Sequence, residues 1–378
     1  MIPHRHILKV IALPYRENAD ANPVQSLLYD AMEKAGVRVT SYSRQKLLRE
    51  SWDVWHLHWP AEYIVNGGNA YNIARRLLRF WLALKVARFR RIRIFWTAHN
   101  IRPHERNHRV LEWVFWRIFL SNIDGIICLS ATGKKELFRV HPQTQLVPIF
   151  TIPHGHYRGV YPDVMDKKQA CAALGIPPGD FVAVFIGYIR AYKGVERLIR
   201  SFVKAKLANS KLLVAGAAGD SMKRELAKAS GSNSNVRLFF EFVNRYDVQK
   251  YLRAADLVIL PFREILNSGS AILALSFDRP ILVPAYGALA ELREIVGPDW
   301  VRLYDGELTA ETIDAAVRWA KARQAKLDAR APIDALNWDR IARLTIEAFS
   351  QCATASTPRT APGPEAKRTA SEVSPQSR

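Results

Sequence analysis

The sequence predicts an α/β protein of two Rossmann-like, doubly wound domains facing a cleft. Three observations carry that expectation. Short apolar runs alternate with longer amphipathic segments along nearly the whole chain, the rhythm of parallel strands joined by helices. With 378 residues, the chain is long enough for two domains of ordinary size. A Pro-, Gly- and Tyr-rich stretch from Pro153 to Pro162 splits the alternation into two series and reads as the crossing between them.

The first series opens with a strand at Ile7–Leu13. Asn22-Pro23 then offers an N-cap and a first-turn proline for a helix that ends at Gly36. Val37–Tyr42, Asp53–Trp59, Ile92–His99, Gly125–Ser130 and Gln145–Phe150 read as further strands, with helices between most of them. The second series places strands near 181–187, 211–216, 236–243, 257–262, 280–285 and 301–304. Helices near 192–206, 220–229, 246–254, 269–277, 287–295 and 309–327 separate them. A last helix, about 338–350, follows Asn337-Trp338-Asp339. The expected division is an N-terminal domain at 1–155, a C-terminal domain at 156–336, and a closing helix within 337–352. Residues 353–378 hold Val373 as their only large apolar residue and are expected to be disordered.

Composition narrows the class. An apolar fraction of 49% with 24% charged residues describes a soluble globular protein. No run approaches the ~20 apolar residues of a membrane span. The start, Met1 to Val10, lacks the apolar core and cleavage site of a signal peptide. Cys128, Cys171 and Cys352 lie too far apart for a disulfide framework or a zinc motif, and a reducing cytoplasm is expected.

Charge is the unusual bulk property: 55 Lys and Arg against 35 Asp and Glu, net +20. Such an excess calls for a polyanionic partner, nucleic acid or an anionic membrane surface. Between Tyr71 and Arg117 there are 12 Lys or Arg and two acids. They are interleaved with Phe80, Trp81, Phe89, Phe95, Trp96, Trp113, Phe115 and Trp116, with Phe119 just beyond. On a helix Arg75, Arg76, Arg79 and Arg90 share an arc of roughly 100°. This suits an interfacial helix on anionic lipid. A core helix with a solvated basic stripe has the same pattern, and both readings stand. No nucleic-acid motif accompanies the charge, so no nucleic-acid partner is expected.

The segment Phe185-Ile186-Gly187-Tyr188-Ile189-Arg190-Ala191-Tyr192-Lys193-Gly194 carries the most chemistry. An apolar strand breaks at a glycine, two cations follow, and an amphipathic helix begins near Val195. Backbone N–H groups, the positive end of a helix and two cations suit an anion. A diphosphate is expected, since the loop offers no carboxylate. Neither a Walker loop nor a dinucleotide fingerprint has this glycine spacing. A second helix start, Asn267-Ser268-Gly269-Ser270 after Leu260-Pro261-Phe262, lies at the equivalent end of the same expected sheet. Ser268 or Asn267 is also a good N-cap, which serves the helix alone.

The polar residues of the N-terminal half gather at strand ends. His56 and His58 share one face by the period of two and read as substrate-contacting or as core and rim histidines. Thr97-Ala98-His99-Asn100-Ile101-Arg102-Pro103-His104-Glu105 puts two imidazoles, an amide, a guanidinium and a carboxylate where a strand stops. His99, His104 or Glu105 suits a general base on a sugar hydroxyl. His154-Gly155-His156-Tyr157-Arg158 sits at the crossing, as cleft floor or as hinge. No Asp-x-Asp occurs, nor a hydrolase elbow or metal-ligand cluster, so no metal and no cofactor are expected.

These pieces together resemble the GT-B glycosyltransferases, and among them the β-mannosyltransferase family of xanthan-type exopolysaccharide assembly. The resemblance runs to about Phe349. It rests on His56-Leu57-His58-Trp59-Pro60, Ala98-His99-Asn100 with Pro103-His104-Glu105, and His154-Gly155-His156-Tyr157-Arg158. Ile189-Arg190-Ala191-Tyr192-Lys193-Gly194-Val195-Glu196, Asn267-Ser268-Gly269 and Val296-Gly297-Pro298-Asp299-Trp300 complete it. It implies transfer of mannose from GDP-mannose to a polyprenyl-diphosphate-linked oligosaccharide, with inversion, at the inner face of a bacterial inner membrane. It implies that Gly187, Arg190 and Lys193 hold the donor diphosphate beside Asn267, Ser268 and Gly269. It implies a base from the N-terminal half, His99 or Glu105, with His58 a further candidate, and His56, Asn100, His104, His154 and His156 around the acceptor.

Retaining relatives in the wider GT-B group carry two glutamates eight apart after this strand. Here Glu264 is the one candidate for the first, and the second position falls on Ile272. That departure agrees with an inverting subfamily and leaves the nucleotide open. A UDP-hexose-dependent transferase of the same fold and a nucleotide-sugar epimerase are the alternatives.

Overall fold

The computed structural model describes residues 7–17, 19–20, 22–101, 108–263, 266–324 and 329–354. The expected disorder of 353–378 concerns residues that lie, from 355 on, outside the described residues.

Twelve strands form among the described residues, all short, and the central ones are apolar and covered on both faces. The first six are β1 (Lys9–Leu13), β2 (Arg38–Ser41), β3 (Val54–His58), β4 (Arg93–Ala98), β5 (Gly125–Cys128) and β6 (Ile149–Thr151). They pair in parallel in the order β2-β1-β3-β4-β5-β6. The next six are β7 (Phe181–Ile186), β8 (Ser210–Ala215), β9 (Val236–Phe239), β10 (Leu257–Ile259), β11 (Ile281–Pro284) and β12 (Val301–Tyr304). They too pair in parallel, in the order β12-β11-β10-β7-β8-β9. This is the doubly wound order, and its switch point lies between β7 and β10. In the first sheet the corresponding reversal lies between β1 and β3. Ligand crevices open at such points because neighbouring loops leave in opposite directions.

Most expected strands are present with trimmed ends. The stretch Gln145–Phe150 is a correction. Residues Pro142–Leu146 form a 3₁₀ turn, and the strand starts only at Ile149. Pro142 supplies the fixed φ of a first turn, which captures the residues after it. The first helix, Val24–Lys34, also starts one residue later than a first-turn proline requires. Pro23 takes the cap position, and the Asn22 side chain accepts from the Val24 N–H at 3.4 Å.

The last helix, Trp338–Thr354, does not stay with the second sheet. It returns across the first and packs on the helix Val24–Lys34 and on β4 and β5. Phe349 meets the Phe95 ring at 4.7 Å, and Cys352 Sγ approaches the Asp124 carbonyl at 3.6 Å. Trp338, at its start, donates its indole N–H to the His156 carbonyl at 2.7 Å. A second tie between the halves runs through Glu291. Its carboxylate accepts from the Ala131 and Thr132 N–H groups at 2.8 and 2.6 Å, at the positive end of the helix Ala131–Val140.

The return of the chain depends on a missing side chain. A Cβ on Gly155 would lie 2.3 Å from the Trp338 ring. Gly155→Ala is therefore expected to destabilise the fold by about 1–3 kcal/mol, the usual cost of forcing atoms into a packed contact. Urea unfolding measures it, and an unchanged midpoint would contradict the packing described.

Candidate active site

The loops at the carboxyl ends of both sheets line one cleft of about 540 Å³. On the C-terminal side its shape follows from glycines. Gly187 ends β7 with φ 130° and Gly216 ends β8 with φ 151°. A Cβ on Gly216 would sit 2.0 Å from the Gly187 carbonyl oxygen, so a side chain is excluded there. Gly194, at φ 66°, precedes the helix Val195–Ala205, and a Cβ on it would sit 2.2 Å from the Pro261 carbonyl oxygen. The loop after β7 is thus wedged between the loops after β8 and β10.

Lys193 folds back over the bare face of Gly187. Its Nζ lies 3.4 Å from the point a Cβ on Gly187 would occupy, and Ser270 Oγ lies 3.0 Å from the same point. Ser270 belongs to the first turn of the helix Gly269–Ser276. Among the described residues the N–H groups of Gly269 and Ser270 have no partner. An ammonium, a hydroxyl and two amides therefore surround one spot, an arrangement that favours an anion. Burial, reinforced by the nearby Arg190 cation, pulls the Lys193 ammonium down to about 8.

Two expected donor contacts stand elsewhere. Arg190 is exposed at the rim and does not line the cleft. The Ser268 hydroxyl is consumed as the helix cap, accepting from the Ala271 N–H at 3.1 Å. It faces a second, more apolar cavity of about 170 Å³ that Ile272 also lines. Asn267 and Gly269 line the main cleft. Of the two helix starts expected, only the one at Gly269 contributes to the lining, since the helix after Gly194 sends none of its residues there.

On the N-terminal side, the period of two aligns His56 and His58 on β3 with Thr97 on β4, where His58 pairs with Thr97. Both histidines are buried, at 0% and 1% exposure, so neither touches the cleft. This corrects their expected substrate contact. They join a hydrogen-bonded chain instead. His99 Nε2 meets His58 Nδ1 at 2.8 Å, and His58 Nε2 meets the Tyr29 hydroxyl at 2.7 Å. The same hydroxyl meets His56 Nδ1 at 3.0 Å, and His56 Nε2 meets Thr97 Oγ1 at 2.8 Å. Of this chain, only His99 lines the cleft. Trp59 stacks on its ring, 4.3 Å between centroids, and holds a left-handed φ of 45° to do so. A bulky residue there carries strain of order 1–3 kcal/mol, which often marks a functional position.

The remaining expected residues divide similarly. Asn100 lines the cleft and donates to Glu62 Oε1 at 3.3 Å. His154 lines it too, its Nδ1 2.7 Å from the Gly155 carbonyl and its Nε2 3.3 Å from the Tyr157 hydroxyl. His156 does not, because its Nδ1 accepts from the Arg158 N–H at 3.3 Å. His104, Glu105 and Glu264 lie outside the described residues. The two sides of the cleft meet where Asn267 Nδ2 donates to the His99 carbonyl at 3.4 Å. Sequence reading gave Ser270, Tyr157 and Tyr188 no role of their own within their motifs and missed Glu62 and Phe242; the half-exposed rings of Tyr188 and Phe242 lie 5.7 Å apart in the lining beside Arg245. A Tyr directly after the turning glycine was the one available signal for that pair.

Relationships to known proteins agree with this geometry. A family profile described as Glycosyl transferases group 1 matches residues 166–292, which hold the Lys193 and Gly269 loops. The chain is 30% identical over 339 residues to GDP-mannose:glycolipid 4-beta-D-mannosyltransferase of Xanthomonas campestris pv. campestris, covering 87% of this chain and 88% of that one. The chain belongs to the GT-B glycosyltransferases. Sucrose-phosphate synthase from Thermosynechococcus elongatus shares the fold with a TM-score of 0.65 at 16% identity, over 93% of this chain and all of that one. A putative UDP-N-acetylglucosamine 2-epimerase from Listeria monocytogenes does so with a TM-score of 0.54 at 12% identity, over 94% and 99%. The fold is thus common to transferases and epimerases, and the family relationship makes this GT-B protein a hexosyltransferase.

Burial holds the histidines neutral. It lowers His56 to about 3 and His154 to about 4, and it puts His58 and His99 well below the usual imidazole range, with neighbouring histidines adding to the shift. With folded values below the unfolded one near 6.5, the unfolded chain binds more protons in acid. Stability is complete above about pH 6.5 and falls as the pH drops, by up to about 1.4 kcal/mol per unit for each such histidine. Denaturant unfolding at pH 7, 6 and 5 measures the slope, and His56→Gln should lessen it. A flat profile would contradict neutral burial.

Proposed function

We propose that the enzyme transfers mannose from GDP-mannose to a hydroxyl of a polyprenyl-diphosphate-linked oligosaccharide, with inversion and without a metal ion. The observation that carries this reading is the contact between the two sides of the cleft. The helix start bearing Asn267, Gly269 and Ser270 touches the loop bearing His99. A diphosphate at Lys193 and a base at His99 thereby share one space of suitable size for a sugar nucleotide. The relationship to the Xanthomonas mannosyltransferase, along most of both chains, supports mannose and a glycolipid acceptor.

In the proposed reaction His99 takes the proton of the acceptor hydroxyl. The oxygen attacks the anomeric carbon as the bond to the diphosphate breaks, and GDP leaves with the electron pair. Lys193, the Ser270 hydroxyl and the N–H groups of Gly269 and Ser270, which have no partner among the described residues, receive the charge that grows on the leaving group. Arg190, at the rim, is within reach of a bound diphosphate's field rather than its oxygens. Tyr188 and Phe242 offer ring faces to a base. Ile272, buried where retaining relatives hold a glutamate, supports inversion. The missing Asp-x-Asp supports a diphosphate held by cation and helix end.

A lipid-linked acceptor calls for a membrane-facing surface. No helix among the described residues is long and apolar enough to cross a membrane. On the helix Ala70–Phe89, however, Tyr71, Arg75, Leu78, Leu82, Lys85 and Phe89 are exposed within an arc of roughly 80°. Trp113 and Arg117 on the neighbouring helix Arg109–Leu120 are exposed too, the guanidinium 5.2 Å from the indole. Phe80, Phe95, Trp96, Phe115, Trp116 and Phe119 belong to the core, which divides the aromatic segment in two. Arg76 and Arg90 are anchored on backbone carbonyls, which leaves Arg75 and Arg79 of the expected arc in solvent. The exposed part suits an anionic leaflet, and the proposed location is the cytoplasmic face of an inner membrane, in exopolysaccharide assembly.

Four outcomes test the reading. Offered a membrane-extracted polyprenyl-diphosphate oligosaccharide, the enzyme should incorporate sugar from GDP-mannose and not from UDP-glucose or UDP-glucuronate; incorporation from a UDP sugar alone would overturn the donor. Lys193→Ala should lower kcat/KM for the donor by roughly 10²-fold or more with an unchanged circular dichroism spectrum. In the wild type kcat/KM should fall above pH about 8, where Lys193 loses its proton, and Lys193→Arg should move that fall upward. Finally, Arg75→Gln with Arg79→Gln should weaken binding to anionic vesicles on the order of tenfold at low salt. Equal binding to zwitterionic vesicles would contradict the electrostatic docking.

A further inference from the structure

We propose that Tyr29, His58 and His56 are positioning residues that fix the tautomer of His99, through one buried hydrogen-bond chain of a single polarity, so that its Nδ1 meets the acceptor as a lone pair. The proposal rests on the reading of His99 as the base.

Every link of the chain is short, from 2.7 to 3.0 Å, and every interior member is bonded on both sides. A neutral imidazole has one donor and one acceptor nitrogen, and a tyrosine hydroxyl donates once. With the Tyr29 hydroxyl hydrogen also bonded, these limits leave the neutral chain two settings. In one, Nε2–H of His99 donates to His58, Nε2–H of His58 donates to Tyr29, Tyr29 donates to His56, and Nε2–H of His56 donates to Thr97. In the other every arrow is reversed and all three imidazoles carry Nδ1–H. Any other setting puts two protons or none in a buried link, or leaves the buried Tyr29 hydroxyl hydrogen without an acceptor, and so loses a hydrogen bond. The threonine hydroxyl both donates and accepts, so either setting can end on it.

The setting that serves transfer is the first. His99 Nε2 is occupied by His58, and Nδ1 has no partner among the described residues. A nitrogen that takes a proton from a hydroxyl starts as a lone pair, so Nε2 must carry the hydrogen. In the step, the acceptor O–H bond breaks and its proton bonds to Nδ1. The resulting imidazolium keeps donating from Nε2 to His58, and its new proton passes to water once GDP has left. The groups facing His99 are Trp59 on its ring, His58 behind it, and His154 and Asn267 from other loops. Glu62, which also lines the cleft, is engaged by Asn100. Burial and the two neighbouring histidines keep His99 neutral. Phe349, 5.2 Å from His56, covers the far end of the chain from the returning helix.

The test is the ¹⁵N spectrum of histidine-labelled wild-type protein with GDP bound, with signals assigned through His99→Gln, His58→Gln and His56→Gln, together with the kinetics of Tyr29→Phe, Thr97→Ser, Thr97→Val and His99→Gln. Nε2–H tautomers on all three histidines are expected, and Nδ1–H on His99 overturns the proposal. Tyr29→Phe should lower kcat by about tenfold or more with the donor KM unchanged, since misplaced base catalysis forfeits part of its usual 10²–10⁴-fold. It should also alter the acid limb of the kcat profile. Unchanged kcat and pH profile in Tyr29→Phe overturn the proposal. Thr97→Ser should keep wild-type kcat, whereas Thr97→Val should lose activity in the same sense as Tyr29→Phe. Full transfer by His99→Gln overturns the base assignment itself, and the role of the chain with it, even where the spectrum shows the ordered tautomers.

Discussion

The cleft depends on backbone brought closer to backbone than any side chain allows. Gly187, Gly194 and Gly216 each stand in the left-handed or adjacent positive-φ region, and at Gly194 and Gly216 a Cβ would lie within van der Waals overlap of a carbonyl oxygen. That closeness stacks three loops from adjacent strands of the second sheet. It leaves the bare face of Gly187 open between the Lys193 ammonium and the Ser270 hydroxyl. The proposed anion site is a consequence of this packing, and its charge comes from one half-buried lysine and one helix end.

The opposite wall is held by a different means. Three imidazoles and a tyrosine hydroxyl lie inside the first half, where unpaired polar atoms are costly. Each is bonded to the next, and the only outlet is His99. The helix Val24–Lys34 supplies Tyr29, and the returning helix Trp338–Thr354 supplies Phe349, so the last helix in the described chain closes over residues of the third strand. The two halves are thus joined by the same segment that shields the chain of histidines. Glu291, accepting from the first N–H groups of the helix Ala131–Val140, adds a charged tie.

Much of this was legible in the sequence, and the gaps have physical reasons. Strands and helices follow from local periodicity, so the doubly wound series emerged, and the glycine at 187 with its lysine marked the anion loop. The depth of His56 and His58 did not emerge, because period two gives the face of a strand and not what covers it. Phe349, nearly three hundred residues on, does the covering. Ser268 and Ser270 have the same chemistry in sequence, and only the cap geometry shows that the first is spent on Ala271 and the second faces Gly187. Likewise the basic aromatic segment is one composition but two environments. Helix phase buries Phe80 and Phe115 and leaves Phe89 and Trp113 outside.

The central claim is that a lysine and a helix start hold the departing diphosphate in the role a divalent metal fills elsewhere. Calorimetric titration of GDP into the protein, with EDTA and then with added Mg²⁺ or Mn²⁺, tests it most directly. The account predicts the same affinity in both conditions, and a loss of about tenfold or more in Lys193→Met. Binding that requires the divalent ion, or that survives the loss of Lys193, would contradict it.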